Sequence, residues 1–195
     1  MKMDKIEKKF VNSKQHAQQN IKIMEQLIKN IDIKKIRNVL EIGCGAGITA
    51  AYLHKKYDLN IIGTDVDPDQ ILVAKKYHKE SRELKFVESD ATGLPFNEQQ
   101  FDMVLSFFVM RHINDWGNAL KEINRVLKTK GYLVFYDIAF SRFTSGLFKN
   151  FIKKYGVYSI DDILSFLRIH KIKPIYQEKP HWAIVKHYPI LFQKK

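Results

Sequence analysis

Three observations predict an α/β fold built as a doubly wound, mostly parallel sheet. Apolar runs of strand length alternate with stretches of helical periodicity through most of the chain. The first clear run, Val39-Leu40-Glu41-Ile42, ends directly in a glycine loop, as a strand does when it hands over to a helix at a ligand-binding turn. Two short apolar runs with no helix-length stretch between them close the sequence. Such a pair forms a hairpin, because parallel strands need a longer crossover.

The elements follow in order. Ala17 to Ile28 reads as a helix, with Ile21, Met24 and Ile28 on one face. Asn38 to Ile42 is a short central strand, and Ala46 to Tyr57 continues as a helix. Asn60 to Asp65 is the second strand. Asp67-Pro68-Asp69-Gln70 then opens a helix reaching about Glu80, with Asp67 as cap, Pro68 in the first turn and Gln70 completing a capping box. Leu84 to Glu88 is a third strand. Phe101 to Phe107 is a fourth, whose continuous apolar character suits burial on both faces. Asn114 or Asp115 caps the next helix, and Trp116, Ala119, Leu120, Ile123, Val126 and Leu127 form its buried stripe. Gly131 ends the turn beyond it, before a fifth strand at Tyr132 to Tyr136. Ser159 and Asp162 form another capping box, for a helix whose inner face is Ile160, Ile163, Leu164 and Leu167. Lys173 to Gln177 and Trp182 to His187, separated by a break at Pro180, are the closing pair.

Composition narrows the class. An apolar share of 45% and a charged share of 28% suit a globular domain, and 195 residues suffice for one sizeable core. The expectation is a single domain over residues 1–195. No apolar run is long enough to span a bilayer, and the charged start does not read as a secretory signal. Cys44, the single cysteine, can form neither an internal disulfide nor a thiolate cluster, so a reducing, cytoplasmic setting is expected. The charge of +12 has two readings: an anionic partner such as RNA, or lysine-rich solvated faces. Oligomeric state is left open.

The sharpest motif is Gly43-Cys44-Gly45-Ala46-Gly47 after the first strand. Gly43 permits the tight turn; Gly45 and Gly47 permit close approach of backbone to ligand and of helix to strand. The following helix start offers free N–H groups to a polar ligand. A dinucleotide fingerprint requires glycine where Ile48 stands, and the lysine and hydroxyl residue of a Walker loop are absent, so NAD, FAD and ATP lose ground. Asp65, at the end of the second strand, is placed to accept both hydroxyls of a ribose. The alternative for Asp65 is a plain strand-end cap, and capping explains Asp67 as well.

Together these residues resemble the class I S-adenosylmethionine-dependent methyltransferases, closest to the broad group acting on small molecules. The resemblance covers nearly the whole chain and is densest from Val39 to Asp137. It implies a Rossmann-like, seven-stranded sheet, mostly parallel with an antiparallel C-terminal strand. Glu41 lies where the family often has an acid near the methionine amino group. Asp65, followed by Val66, matches the ribose-binding segment. Ser89-Asp90-Ala91 matches the segment after strand three, Asp90 approaching the adenine amino group and Ala91 its ring. Leu94-Pro95-Phe96, Phe101-Asp102-Met103-Val104 and Leu127-Lys128-Thr129-Lys130-Gly131-Tyr132-Leu133 continue the pattern, and Ser106 joins the cofactor residues. The resemblance further implies that residues 1–37 form a helical cover over the cofactor, with Phe10 and Asn12-Ser13-Lys14-Gln15-His16 at the pocket mouth.

Methyl transfer from a sulfonium is a displacement at carbon with a good leaving group, so positioning supplies much of the catalysis. A base is needed only when the acceptor has a proton to lose. His112 and Asp137 are the candidates for positioning or base. Arg111, Tyr136, Phe140, Phe143 and Tyr155 are candidate substrate contacts, and residues 138–158 read as a substrate lid. For His112 and Asp137 the plainer readings are a loop brace and a strand cap; for the lid, a membrane-surface helix. No nucleophilic triad and no metal-ligand spacing is present, and the Asp/Asn-Pro-Pro-Tyr signature of amino-methylating nucleic acid enzymes is absent. A small-molecule acceptor is favoured, with RNA or protein methylation, or a non-catalytic cofactor-binding subunit, as alternatives.

Overall fold

In the computed structural model, residues 12–139, 159–177 and 186–195 are described. Phe10, Phe140, Phe143, Tyr155, most of the expected lid over 138–158, and the segment 178–185 with Pro180 and Trp182 lie outside them. The strands are β1 (Asn38–Ile42), β2 (Asn60–Asp65), β3 (Leu84–Glu88), β4 (Phe101–Phe107), β5 (Leu127–Ala139), β6 (Ile172–Gln177) and β7 (Lys186–Lys194). They form one seven-stranded sheet in the order β3-β2-β1-β4-β5-β7-β6. The first five strands are parallel, and β7 runs antiparallel to both β5 and β6. The predicted Rossmann-like α/β fold and its closing antiparallel pair are therefore present.

Side chains alternate across the buried strands and build two cores. On one face, α1 (Lys14–Ile28), α2 (Ile48–Tyr57) and α3 (Pro68–Tyr77) contribute Met24, Leu53 and Ala74 to a cluster with Val39, Phe86 and Met103. On the other, α4 (Trp116–Val126) and α5 (Ile160–Ile169) pack Leu120, Ile123 and Leu167 against Leu40, Val104 and Phe135. The strand order reverses between β1 and β4, which opens a crevice at the C-terminal ends of the parallel strands.

Several boundaries differ from the sequence reading, each for a local reason. α1 starts at Lys14, because the Ser13 side chain accepts a hydrogen bond from the His16 N–H at 3.2 Å. α2 starts at Ile48, because Gly47 is left-handed with φ 75°. α3 ends at Tyr77, and the Glu80 carboxylate instead accepts from the Phe86 N–H of β3 at 2.9 Å. Gln70 does not close a capping box. Its Oε1 accepts from Asn12 Nδ2 at 2.9 Å, while the Asp67 N–H goes to Asp65 Oδ1 at 3.0 Å. Asp67 does cap α3, accepting from the Asp69 N–H at 3.1 Å. β5 begins at Leu127, straight from α4, with an irregularity where Lys130 adopts φ 66°. Gly131 is required there by space: a Cβ would sit 2.8 Å from the Lys128 carbonyl and 3.0 Å from that of Asp102. β7 runs from Lys186 to Lys194, so among the described residues it shares only Lys186 and His187 with the expected strand Trp182 to His187. The Ser159–Asp162 capping box is present as predicted.

At the far end of the sheet, Asp102 fastens the chain entering β1. Its carboxylate accepts from the N–H groups of Arg37 (3.0 Å) and Asn38 (2.8 Å) and from Lys128 Nζ (2.7 Å). Burial alone would raise its pKa, but the bonds from Asn38, Lys128 and Arg37 together outweigh that and hold it below the ordinary 3.8. The ionised form is thus favoured by folding. Its stabilisation is complete above the unfolded-state pKa and is lost as pH falls through the lower folded-state value. Asp102→Ala should cost about 1–3 kcal/mol in urea unfolding at neutral pH. The gap between parent and variant should narrow as pH drops below about 4.

Candidate functional site

A cavity of about 430 Å³ lies in the crevice at the strand ends. Its size and position suit a small ligand with polar groups at fixed points. Of the cofactor residues expected from sequence, Glu41, Gly43, Gly45, Asp65, Val66, Asp90 and Ala91 line it, and so do Arg111 and His112. Gly47, Ser106, Tyr136 and Asp137 do not.

The glycine loop has two distinct duties. Gly43 and Gly47 are forced by packing. A Cβ on Gly43 would collide with Val109 Cγ2, and one on Gly47 would lie 2.5 Å from the Phe86 ring. Both residues also have positive φ, 66° and 75°. Gly45 is the residue whose backbone is held for the cavity. Its N–H donates to Asp65 Oδ2 at 3.0 Å, while Asp65 Oδ1 accepts from the Asp67 N–H at 3.0 Å. The Cys44 N–H donates to the Thr64 carbonyl at 2.8 Å and extends the β1–β2 pairing into the loop. Asp65 is therefore both a strand-end anchor and a cavity wall; the two readings of the sequence are not exclusive.

Glu41 is the most unusual group. It is 4% exposed, and its Oε2 is buried with no hydrogen-bond partner among the described residues. Burial pushes its pKa up to about 8; contacts with the Ala50 backbone and Thr49 oppose this, while the Asp65 charge adds to it. A buried carboxyl oxygen without a partner costs free energy unless something supplies a donor or a positive charge. Next along the wall, Asp90 closes a turn on Thr92, accepting from its N–H and its hydroxyl at 2.8 Å each. Val66 is 41% exposed, leaving an apolar surface beside Asp65.

The opposite end is built around Phe108. This residue holds a left-handed backbone at φ 58°, a strain of about 1–3 kcal/mol for a non-glycine residue. Its N–H donates to the Tyr136 carbonyl at 2.7 Å. Its ring packs on Tyr136 with centroids 4.5 Å apart, on His16 at 5.3 Å, and beneath the Arg111 guanidinium at 5.0 Å. Asp137 is fully buried behind this platform. It accepts from the N–H groups of Ile138 (2.7 Å) and Arg111 (3.4 Å) and pairs with Arg111 Nη1 at 3.5 Å. Tyr136 is also behind the wall, its hydroxyl bonded to His187 Nδ1 at 3.1 Å. Ser106 is buried in the sheet between its β1 and β5 neighbours, Ile42 and Phe135.

Helix α1 brings His16, Ala17 and Asn20 to the cavity. His16 is among the residues expected at the pocket mouth; Asn20 is not. Asn20 Nδ2 lies 3.3 Å from His16 Nε2, and its buried Oδ1 has no partner among the described residues. The sequence does carry a signal for it. His16, Asn20, Met24 and Leu27 continue one helical stripe, and polar residues on a buried stripe mark either a bonded pair or a site. The pKa of His16 is lowered by burial first and by the Arg111 charge second, so the imidazole is neutral near pH 7.

The donor set fits S-adenosylmethionine on structural grounds. The Glu41 Oε2, without a partner among the described residues, suits an amino cation. The acid and exposed apolar side chain at Asp65–Val66 suit a ribose and the start of a base, and Asp90–Ala91 continue along the same wall.

Comparison with known proteins agrees. Residues 40–135 match a family model described as a methyltransferase domain. The chain is 31% identical over 133 residues to a demethylmenaquinone methyltransferase of Staphylococcus saprophyticus, covering 67% of this chain and 56% of that protein. It is 35% identical over 97 residues to an ajmaline N-methyltransferase of Rauvolfia serpentina, covering 48% and 33% respectively. The matches thus span from one third to just over half of these relatives' lengths. In fold, the chain is similar to the PH0226 protein of Pyrococcus horikoshii, with a TM-score of 0.74, 22% identity, and 95% and 93% of the two chains covered. With the glycine loop, Asp65 and the 3-2-1-4-5-7-6 sheet all in place, the chain belongs to the class I S-adenosylmethionine-dependent methyltransferase family.

Proposed function

We propose that this protein binds S-adenosylmethionine along the acidic wall of the cavity and transfers its methyl group by direct displacement to a small-molecule acceptor. One observation carries the reading: a single cavity joins Glu41, the Gly45 loop, Asp65 and Asp90 at one end to Phe108, Arg111 and His112 at the other. The relatives named for demethylmenaquinone and ajmaline support a small acceptor. In this reading α1, the described α-helix of residues 1–37, contributes to the cofactor cover, while the expected lid over 138–158, with Phe140, Phe143 and Tyr155, lies largely outside the described residues. The lone buried cysteine is in keeping with a cytoplasmic setting.

When bound, the cofactor supplies an electrophilic methyl carbon on a sulfonium. Glu41 takes the amino group, Asp65 the ribose hydroxyls, and Asp90 and Ala91 the adenine. Gly45 keeps the backbone close, and Asp65 holds Gly45 in that position. Phe108 and Val109 exclude water from the acceptor end, where orientation supplies the main rate gain. His112 serves as a positioning group or, for an acceptor that must lose a proton, as the base; neutral His16 borders the same space. Asp137 is buried behind Arg111 and acts by holding that residue.

Four outcomes test this reading. Calorimetry should detect binding of both S-adenosylmethionine and S-adenosylhomocysteine; a folded sample that binds neither overturns it. Because Glu41 is protonated below about pH 8 and its ionised form suits an amino cation, binding should release a proton. Affinity should therefore rise with pH from about 6 to 8, a slope that Glu41→Gln abolishes, and heats should differ between buffers of different ionisation enthalpy. Asp65→Ala should weaken binding at least about tenfold, since it removes both a charged partner and the anchor of Gly45. Finally, methyl-labelled cofactor incubated with the protein and a cell extract should place label in the low-mass fraction. Label confined to RNA, which the +12 charge would favour, or to protein overturns the small-molecule assignment. No label in any fraction favours a non-catalytic cofactor-binding role.

A further inference from the structure

Arg111 is the cation on the wall at the Phe108 end of the cavity, and its hydrogen-bonding capacity is largely unspent. A guanidinium offers five N–H donors in a fixed fork that matches a carboxylate or phosphate. Among the described residues, its side chain has two contacts of note. One is the Phe108 ring below it at 5.0 Å, and the other is Asp137 Oδ1 at 3.5 Å from Nη1. That separation is well beyond the length of a charge-assisted hydrogen bond, and Nη1 is buried with no hydrogen-bond acceptor among the described residues. Asp137 does not saturate the guanidinium. Its Oδ1 accepts more closely from the Ile138 N–H, at 2.7 Å, and its Oδ2 from the backbone N–H of Arg111 itself. The ion pair therefore fixes where Arg111 stands and leaves donors for another group.

The surroundings point the same way. The acids of the cavity, Glu41, Asp65, Asp67 and Asp90, belong to the wall formed by β1, β2 and the segment after β3. At the Arg111 end, the acid on the wall is Asp115, whose two oxygens accept from the Asn118 N–H (3.1 Å) and Nδ2 (2.6 Å). His16 is neutral, Asn20, His112 and Asn114 are uncharged or titratable polar neighbours, and Phe108, Val109 and Ile113 add apolar surface. A partly apolar pocket end whose one Lys or Arg among the described lining residues is fixed and under-used selects a partly apolar molecule that carries an anionic oxygen group.

We propose that Arg111 is the acceptor's anion anchor, and that the acceptor is an apolar or aromatic molecule bearing a carboxylate or phosphate. The inference rests on the methyl-transfer reading for the word acceptor, but the anion site can be tested apart from it. The full chain is titrated with benzoate, phenyl phosphate and benzamide, with and without saturating S-adenosylhomocysteine, following ligand resonances by NMR. Benzoate or phenyl phosphate should bind at least about tenfold more tightly than benzamide, and the preferred one names the group. Arg111→Gln should erase that preference, and Arg111→Lys should restore part of it, with melting temperature reporting that both variants fold. Equal binding of the three probes, or an anion preference that survives Arg111→Gln, overturns the proposal. S-adenosylhomocysteine binding without anion preference strikes at Arg111 alone. Anion preference without S-adenosylhomocysteine binding strikes at the methyl-transfer reading and leaves the anion site standing.

Discussion

The carboxylate of Asp65 ties together the two loops that shape the crevice. Its two oxygens take the N–H of Gly45, from the loop after β1, and the N–H of Asp67, from the loop after β2. Each bond is charge-assisted and largely shielded from water, the setting in which such bonds count most. The geometry of the crevice follows. Gly45 is drawn back against β2, Gly47 can then turn left-handed into α2, and Asp67 is freed from a conventional capping box to start α3 with its side chain alone. Packing locks the arrangement from behind, since Phe86 and Val109 occupy the space where side chains on Gly47 and Gly43 would go. The wall of the cavity is thus a hydrogen-bonded edge backed by a close-packed core, and little reorganisation is left for a ligand to induce.

The two ends of the cavity are electrostatically unlike. One gathers four carboxyl groups, of which Glu41 is so deeply buried that its proton is retained near neutrality. The other offers a guanidinium on an aromatic ring and a neutral imidazole, with the one acid there, Asp115, engaged by Asn118. A molecule with separated positive and negative groups is oriented by such a field before any close contact forms. The strain at Phe108 accompanies the same arrangement, in which its left-handed turn sets one ring against Tyr136, His16 and Arg111 together.

Much of this is legible in the amino-acid sequence, for identifiable reasons. The strands β1 and β4 announce themselves because burial on both faces demands continuous apolar runs. The glycine loop and Asp65 are legible because backbone conformation and a strand-end carboxylate leave few alternatives. The ends of elements are less so. Gln70 satisfies the spacing of a capping box, yet Asn12, far away in sequence, takes its side chain, and Asp65 takes the N–H it would have capped. Ser106, Tyr136 and Asp137 sit at the right ends of the right strands, but which face a strand-end residue presents depends on pairing register and on the turn that follows. Asn20 escapes a reading of α1 through its isoleucines, because the buried stripe runs through Met24 and Leu27 back to His16.

The placement of β7 bears on the order in which the molecule can assemble. It is the last strand of the sheet in sequence, yet it lies between β5 and β6 and pairs with both. A chain leaving the ribosome N-terminus first can lay down β1 to β5 as a parallel sheet, but the edge of β5 stays open while α5 and β6 emerge. Only when β7 arrives are two rows of backbone hydrogen bonds closed at once. The contacts of Lys194 Nζ with the carbonyls of Asn124 and Leu127 then tie that strand to the end of α4. Completion of the sheet is consequently a late, cooperative event that couples the C-terminal part of the chain to a half already formed.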